Sequence, residues 1–446
     1  MRMREPRAIF WFRNNLRLHD NLSLVQAIKA SECLLCVYCH EPEYFLRNWG
    51  FHRVGPHRKV FLRQALDVLR SSLESRGQKL LECLGSPRDV LSQLARCMDS
   101  KLIFTEAIEA PYEAEAIKRL KESGLQVITT WQSSLIDPWD LPFNINQLPD
   151  VFTDFRHQVE RVDIKPPAPE PPPTEFPDPP DHFEQDGIAI GIEPAFPDPR
   201  SSFPYDIDLF FGGEKAALSH LTTYLDRRLP DTYKKTRNEI SGLEFSSKFS
   251  PWLAQGALSP RKVFEALKRY ESLYGFNEGT YWLWFELLWR DYFRFLHLKF
   301  GRKLYFPTGL SDREKPQHDE VAFKAWCHGQ TGKKLIDAGM RELSLTGYLS
   351  NRMRQIVASF LVHDLHCDWR AGAAWFESQL LDYDVYSNQG NWLYIAGYGT
   401  DPRGGRHFNP DKQAKTYDQS GEYQSYWLNA GENPRVKKTN EMMTVC

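Results

Sequence analysis

The hydrophobic pattern changes its period once along this chain of 446 residues, and that change constrains the fold more than any other feature. Over residues 1–135, short apolar runs such as AIFWF at 8–12 and KLIFTEA at 101–107 alternate with longer amphipathic segments. Strands that alternate with helices in this way form a parallel sheet covered by helices on both faces. The first 135 residues are therefore predicted to form a Rossmann-like α/β domain.

The second half of the chain has a helical period. Apolar residues recur at intervals near 3.6 in four long segments, at 214–227, 260–273, 280–299 and 352–365. Such spacing places apolar side chains on one face of a helix. We predict an all-α domain over 214–430, followed by a short tail at 431–446.

Proline separates the two domains. Residues 166–199 contain 12 of the 29 prolines, including PPAPEPPP at 166–173. Because proline lacks an N–H and fixes φ, this density excludes a helix or a central strand. Residues 136–213 are therefore predicted to be an interdomain linker that is extended at 166–199.

Composition excludes several classes of protein. No run approaches the roughly 18 to 20 apolar residues of a membrane span, and no targeting peptide is evident, so we expect a cytoplasmic protein. Eight irregularly spaced cysteines indicate free thiols in a reducing compartment. The C-x-x-C-H pattern at 36–40 lies in a predicted strand, where alternate side chains face opposite ways, so no metal site is expected.

The net charge of −2 is unevenly distributed. Residues 151–200 hold 11 acidic and 4 basic residues, which leaves +5 for the rest of the chain. A basic face that binds nucleic acid is therefore compatible with the composition.

A cluster of hydroxyls and one cation precedes a helical segment at FSSKFS, residues 245–250. Backbone N–H groups at a helix start, assisted by hydroxyl donors, can bind a pyrophosphate. The alternative is an ordinary N-cap, because serine is common at that position.

Five segments together resemble the photolyase/cryptochrome family and, within it, the DASH branch. They are WFRNNLRLHDNLSL at 11–24, TRNEISGLEFSSKFSPWLAQGALSPR at 236–261, TYWLWFELLWRDYFRF at 280–295, TGKKLIDAGMREL at 331–343, and the stretch from GYLSNRMRQ to NWLY at 347–394. The resemblance covers nearly the whole chain and implies a bent FAD held among the C-terminal helices.

The resemblance implies roles for four polar residues around the flavin ring. Arg354 pairs with Asp382 beside the ring, Asp384 lies near its N1/O2 side, and Asn388 faces N5. A flavin that stays reduced as an anion needs such a cation and hydrogen-bond partners near its reactive edge. The alternative for the charged residues is a buried salt bridge that only holds helices together.

The resemblance also assigns the rest of the cofactor site. The expected FAD contacts outside the ring are Tyr233, Ser246, Ser247, Lys248, Phe249, Ser250, Glu286 and Arg290. In this assignment the serine cluster surrounds the phosphates, and Arg290 is in addition a candidate contact to a DNA phosphate.

Tryptophans in the family conduct electrons from the surface to the flavin. Trp392 and Trp369 match the proximal and middle members of that chain, whereas Pro316 occupies the position of the outer one. Photoreduction is therefore expected to end at Trp369, to pass through another aromatic residue such as Trp326, or to be slow. The alternative is that these are ordinary core tryptophans.

Five residues are the expected substrate contacts: Glu286, Trp289, Asn351, Gln355 and Tyr394. Glu286 and Trp289 are three residues apart and share a helix face, so a carboxyl can bond a flipped thymine while an indole stacks on it. The apolar neighbours of Glu286 indicate a buried setting. Asn351 replaces the histidine of (6-4) photolyases. Gln355 and Tyr394 replace Met and Trp and are typical of the DASH branch, so single-stranded or loosened DNA is the expected substrate.

The family usually binds a second chromophore between its two domains. Glu106, at the end of a predicted strand, matches a residue that contacts a folate in DASH relatives. Methenyltetrahydrofolate is therefore the expected antenna.

The function implied is blue-light repair of cyclobutane pyrimidine dimers by a monomeric deoxyribodipyrimidine photo-lyase, with reduced FAD as the electron donor. Arg354, Asp382, Asn388, Trp369, Trp392 and Glu286 are expected to take part in catalysis. The main alternative is a blue-light photoreceptor or transcription modulator that binds DNA or RNA without repair. A light-independent flavin scaffold would need none of the substrate contacts.

Overall fold

The computed structural model describes residues 5–41, 47–181, 195–401 and 403–429. The elements of its N-terminal part are β1 (Glu5–Phe12), α1 (Leu22–Ala30), β2 (Ser31–His40), β3 (Arg47–Asn48), β4 (Phe51–His52), α2 (Pro56–Glu74), β5 (Leu80–Leu84), α3 (Pro87–Cys97), β6 (Leu102–Glu106), α4 (Pro111–Glu122) and β7 (Gln126–Thr130). Five strands form a parallel sheet in the order β5-β2-β1-β6-β7, and β3 pairs with β4 in an antiparallel ribbon.

Strand β1 lies at the centre of the sheet, and its side chains alternate between two cores. Phe10 and Phe12 pack with Leu66 of α2 on one face. Ile9 and Trp11 pack on the other face, which α3 and α4 cover. Because both faces are buried, the strand is apolar at consecutive positions, as parallel sheets require. The predicted α/β class is confirmed for this domain.

The C-terminal part is helical, and this prediction is also confirmed. From the interdomain segment onward the helices are α5 (Phe152–Arg161), α6 (Glu214–Asp226), α7 (Tyr233–Thr236), α8 (Ser250–Gln255), α9 (Pro260–Tyr274), α10 (Glu278–Phe300), α11 (Glu320–Cys327), α12 (Lys334–Thr346), α13 (Asn351–Ser359), α14 (Trp369–Gln379), α15 (Val385–Ala396), α16 (Pro410–Tyr417) and α17 (Glu422–Leu428). The helix predicted over 352–365 ends earlier, at Ser359, and a single wider π turn follows at 360–364.

Helix α10 is the central element of the helical domain. The Asn277 side chain accepts from the backbone N–H groups of Gly279 and Thr280, and the Thr280 hydroxyl completes a capping box. Phe293 and Phe295 are both buried, and because they are two residues apart they lie on opposite sides of the helix. A helix that is apolar nearly all round lies inside its domain, so the charged groups that α10 carries are held in the interior.

The segment predicted as a linker, 136–213, contributes to the core. It contains α5, whose Phe152 and Phe155 are buried against α10. Phe203 and Phe210 belong to the same core cluster. In the described residues of the proline-rich stretch the chain is irregular apart from one isolated bridge. The linker assignment is thus corrected for α5, because aromatic residues at helical spacing outweigh the distant prolines. Residues 182–194 and the tail beyond Asn429 lie outside the described residues.

Candidate functional site

A cavity of about 570 Å³ lies between α13 and α15, and we call it the inner cavity. Seven of the predicted site residues line it: Asn351, Arg354, Gln355, Asp382, Asp384, Asn388 and Trp392. They come from α13, from α15 and from the turn between α14 and α15. Residues predicted to contact the flavin ring and two residues predicted to contact the substrate, Asn351 and Gln355, therefore line the same cavity.

Arg354 and Asp382 form an ion pair in this cavity. Nη2 of Arg354 lies 2.8 Å from Oδ2 of Asp382, and Nε of Arg354 donates to the carbonyl of Leu349 at 2.8 Å. The Ser250 hydroxyl donates to the same Oδ2 at 2.7 Å. The other oxygen, Oδ1, is buried and has no hydrogen-bond partner among the described residues. Since an unpaired buried oxygen is costly, Oδ1 suits a hydrogen-bond donor that enters the cavity.

Asp384 is held by an arginine of α10 that is not among the predicted site residues. Arg294 Nη2 lies 2.6 Å from Asp384 Oδ2, and Asp384 also caps α15 by accepting from the Ser387 N–H at 2.8 Å. Burial alone would raise the pKa of Asp384, but Arg294 and Arg290 together hold it well below its ordinary value. Asp384 is therefore a fixed negative charge at the cavity wall.

Asn388 follows Asp384 by one helical turn on α15. Its amide Nδ2 donates to the carbonyl of Ala373 on α14 at 3.1 Å. This bond fixes the side-chain torsion of a carboxamide that lines the inner cavity. The amide can present a hydrogen-bonding group to a ring system bound beside it.

The loop at 246–250 has an unusual backbone. Ser246 and Lys248 have φ of 63° and 58°, in the left-handed region, whereas Phe249 is right-handed with φ −74° and ψ −19°. When neighbouring residues alternate between left-handed and right-handed backbone conformations, their successive N–H groups point to the same side and can bind an anion. Tyr233, the first residue of α7, is also buried.

Lys248 is buried, and its ammonium lies 5.1 Å from the centre of the Tyr348 ring. Burial lowers the pKa of Lys248 to about 7; Arg354 lowers it further and Glu342 opposes the shift. Burial also raises the pKa of Glu342 to about 8. Lys248 is therefore poised to gain a full charge when an anion approaches.

Glu286 is only half-buried, which differs from the buried setting expected. It forms an ion pair with Arg237, and 31% of the Glu286 side chain is exposed. Arg237 in turn lies 4.7 Å from the ring centre of Trp282. The carboxylate is thus accessible, and an arginine fixes its position.

Trp289 and Tyr394 line a different cavity, the outer cavity, of about 720 Å³. Phe152 stacks on Trp289 with ring centres 3.7 Å apart and an interplanar angle of 11°, and Tyr394 meets it edge-on at 5.8 Å. One indole face is therefore already covered. Of the expected substrate contacts, Asn351 and Gln355 line the inner cavity, whereas Trp289 and Tyr394 line the outer one.

Arg290 differs from the expected contact to a DNA phosphate. Its Nη1 donates to the carbonyl of Ser133, and Nη2 donates to that of Leu253 at 3.1 Å. Burial, together with Arg294, lowers the pKa of Arg290 to about 9. The guanidinium is therefore directed inward, toward the junction of the two domains.

Two tryptophans of the predicted electron chain are buried, and a third aromatic ring contacts one of them. Trp326 lies edge-on to Trp392 with centres 6.4 Å apart, and Phe376 lies 5.1 Å from Trp392. Trp369 Nε1 donates to the carbonyl of Pro307 at 3.0 Å. Trp326 therefore has the direct contact with Trp392 that a bypass route requires.

Glu106 ends β6 at the junction of the two domains and is 1% exposed. Its Oε2 has no partner among the described residues. Burial raises the pKa of Glu106 to about 7, although Arg17, Arg13, Arg294 and Arg290 act against that shift. The carboxyl is thus buried near several arginines, and burial favours its protonated form.

The chain matches two known protein families. Residues 8–174 match DNA photolyase, and residues 282–444 match the FAD binding domain of DNA photolyase. It is 44% identical over 436 residues to the cryptochrome DASH of Synechocystis, covering 95% of this chain and 87% of that protein. The protein belongs to the photolyase/cryptochrome family and carries its FAD-binding domain. Within that family it belongs to the DASH branch.

Solved structures agree with this assignment. The Synechocystis cryptochrome superposes with a TM-score of 0.89 at 43% identity, covering 96% of this chain and 90% of that chain. The archaeal photolyase from Sulfolobus tokodaii, solved with two FAD molecules, gives a TM-score of 0.76 at 26% identity, with 98% and 94% covered.

Three residues near these sites were missed at the level of sequence. Arg294 had a usable signal, because it follows Arg290 by four residues on one face of an otherwise apolar helix. Phe152 lies in the segment predicted as a linker, and Arg237 carries no local signal.

Within the described ranges, no cluster of three or more His, Cys, Asp or Glu side chains could hold a metal. None of the helices described combines the length and apolar character that crossing a membrane requires.

Proposed function

We propose that this protein repairs cyclobutane pyrimidine dimers in DNA with blue light, using reduced FAD as a deoxyribodipyrimidine photo-lyase does. One observation carries the proposal: the inner cavity is lined both by Arg354, Asp382 and Asn388 and by Asn351 and Gln355. Groups suited to a flavin ring and groups suited to a pyrimidine thus border the same space. Electron transfer between two bound rings needs that proximity.

The residues of the inner cavity fit a flavin. The unpartnered Oδ1 of Asp382 suits an N–H or hydroxyl donor of the cofactor, while Arg354 balances negative charge on a reduced ring. The N–H groups and hydroxyls of the loop at 246–250 suit the phosphates. Bound FAD supplies the light-driven electron, and these residues hold its charge and exclude water.

Recognition of the dimer is assigned to three polar side chains. Glu286, positioned by Arg237, accepts hydrogen bonds from a thymine edge, and Asn351 and Gln355 border the flipped bases. Trp289 and Tyr394 supply aromatic surface on which bases of the strand stack. Because tyrosine offers less area than tryptophan, less energy is available to extract a dimer from a duplex. Single-stranded or loosened DNA is the proposed substrate.

A second chromophore is proposed at the junction of the domains, with methenyltetrahydrofolate as the compound. A cavity of about 710 Å³ there is lined by Arg13 and Glu113, among others. Arg13 Nη1 lies 3.5 Å from the carbonyl oxygen of Glu106, and the Glu113 carboxyl has an unpartnered oxygen among the described residues. The Sulfolobus photolyase was solved with two FAD molecules, with the implication of a novel light-harvesting cofactor, and this supports the proposal of a second chromophore here. Extraction of the purified protein and chromatography of the released pigments tests this assignment.

The repair proposal is tested with a single-stranded oligonucleotide that carries one thymine dimer. The reduced protein is illuminated, and restored thymine is measured by chromatography. Wild type is expected to repair the oligonucleotide, and Glu286→Ala to lose most of that activity. Glu278→Ala is the matched control, since Glu278 lies on the same helix and 76% of its side chain is exposed. No repair by a flavin-loaded wild type would refute the proposal and favour the photoreceptor.

A further inference from the structure

Helix α17 is the last described element, and one of its side chains reaches the interior of the helical domain. Tyr423 is 5% exposed, whereas Tyr426 of the same helix is 54% exposed. The Tyr423 hydroxyl donates to Oε2 of Glu342, a fully buried residue of α12. This hydrogen bond joins α17 to the core of the domain.

The carboxyl group of Glu342 is only partly satisfied. Its other oxygen, Oε1, is buried and has no hydrogen-bond partner among the described residues. Burial raises the pKa of Glu342 to about 8; the hydrogen bond from Tyr423 acts against this shift, and so do the nearby cations Lys248, Arg354 and Arg200. A buried carboxylate without partners is costly. Glu342 is therefore attracted to these cations whenever Tyr423 does not hold it.

Two of these cations belong to the flavin site. Lys248 and Arg354 lie against the same ring, that of Tyr348, at 5.1 and 5.5 Å from its centre. Hydrogen bonds connect Tyr348 to the helix that carries Glu342. The Thr346 hydroxyl lies 2.7 Å from the Glu342 carbonyl oxygen, and it accepts from the Tyr348 N–H at 3.0 Å. Glu342 is thus placed to compete with an anionic cofactor for both cations.

Helix α17 depends on tertiary contacts for its stability. It has seven residues, and isolated helices of this length are marginal in water. Asp418 caps its start by accepting from the N–H groups of Tyr423 and Gln424 at 2.9 and 3.0 Å. Its end is held by Arg341, whose Nη1 donates to the carbonyl of Leu428 at 2.8 Å. Undocking of α17 is therefore a local event that breaks the Tyr423 hydrogen bond.

We propose that docking of α17 favours retention of FAD, because Tyr423 holds the Glu342 carboxyl away from the two cations of the flavin site. When α17 is docked, Lys248 and Arg354 remain available to the cofactor. When α17 leaves, the buried carboxyl turns to these cations and competes with FAD. Docking of α17 and FAD binding therefore stabilise each other. The inference concerns the FAD-binding domain and goes beyond the proposed repair.

The first test measures the FAD affinity of the full chain by fluorescence titration. Tyr423→Phe keeps the ring and removes the hydroxyl, and it is expected to bind FAD roughly tenfold more weakly than wild type. Tyr426→Phe removes an exposed hydroxyl from the same helix and is expected to bind FAD as wild type does. Equal affinity of Tyr423→Phe and wild type would overturn the inference.

A double variant distinguishes this role from a general loss of packing. Glu342→Gln removes the negative charge that attracts the two cations. The FAD affinity of Tyr423→Phe combined with Glu342→Gln is therefore expected to return to within about twofold of that of Glu342→Gln alone. A loss of affinity that persists undiminished in the double variant would also overturn the inference, since Tyr423 would then act through packing only.

Hydrogen exchange of residues 422–428 is an independent readout. In wild type, saturation with FAD is expected to slow the exchange of these amides roughly tenfold relative to the apoprotein, because the coupling is reciprocal. In Tyr423→Phe this ratio is expected to fall below about twofold. Equal exchange in apo and FAD-loaded wild type would refute the coupling. None of these assays uses DNA or light, so a failure of the repair proposal would leave their outcomes unchanged.

Discussion

Replacing Glu106 by glutamine is expected to change how the stability of the protein depends on pH. Burial raises the pKa of this carboxyl from 4.5 to about 7. The folded state therefore keeps a proton that the unfolded chain releases. Stability from this group is present at low pH and is lost as the pH rises toward 7. Glutamine has a similar shape and does not titrate, so the variant does not lose this stability as the pH rises.

The size of the effect follows from the two pKa values. A difference of roughly 2.5 pKa units corresponds to about 3 kcal/mol when the whole window is crossed. Between about pH 5.5 and about pH 8, Glu106 is expected to cost wild type about 2 kcal/mol. The stability of Glu106→Gln relative to wild type should thus increase by about 2 kcal/mol between the lower pH and the upper one.

Urea unfolding of both proteins at a series of pH values measures the difference, with the flavin content kept equal. Other groups also titrate in this range, so the quantity to follow is the gap between the two curves. Parallel curves for wild type and variant would refute the assignment of a buried, protonated carboxyl at the end of β6.

Three further predictions concern the flavin site. Asp382→Asn removes the partner of Arg354 and is expected to lower FAD affinity at least roughly tenfold, measured as flavin absorbance retained after gel filtration. Lys248, with a pKa of about 7, loses its charge as the pH rises. The FAD affinity of wild type is therefore expected to fall about tenfold between about pH 6 and about pH 8, as measured by fluorescence titration. In Lys248→Met, FAD affinity should not depend on pH over the same range. Trp326→Phe is expected to slow photoreduction of the bound flavin by an external thiol at least roughly fivefold, followed as bleaching of the flavin absorbance under blue light.

Matched controls separate these effects from general damage. Asp364→Asn and Lys262→Met alter charges away from the flavin site and should retain wild-type FAD affinity and its pH profile. Trp427→Phe alters a buried tryptophan of α17 and should leave photoreduction unchanged. Equal FAD retention by Asp382→Asn, a sloping profile for Lys248→Met, or unchanged bleaching in Trp326→Phe would contradict the respective prediction.

Local patterns were sufficient to predict the architecture. The apolar run AIFWF lies in β1, and the segment 280–299 with its 3.6-residue period lies in α10. These elements could be predicted because a buried strand or helix has apolar residues at regular intervals along the chain. The sequence motifs also indicated phosphate binding by FSSKFS and flavin-ring contacts in the stretch around Arg354. These features depend on residues close together in the chain.

Which side chains meet across the fold was decided only by tertiary packing. Asp384 pairs with Arg294, 90 positions earlier, and Glu286 pairs with Arg237. Phe152, in a segment predicted as a linker, covers one face of Trp289. Helix α15 then divides the predicted contacts between two cavities. Such contacts depend on how helices are rotated and packed against one another, and periodicity within a segment carries no information about that arrangement.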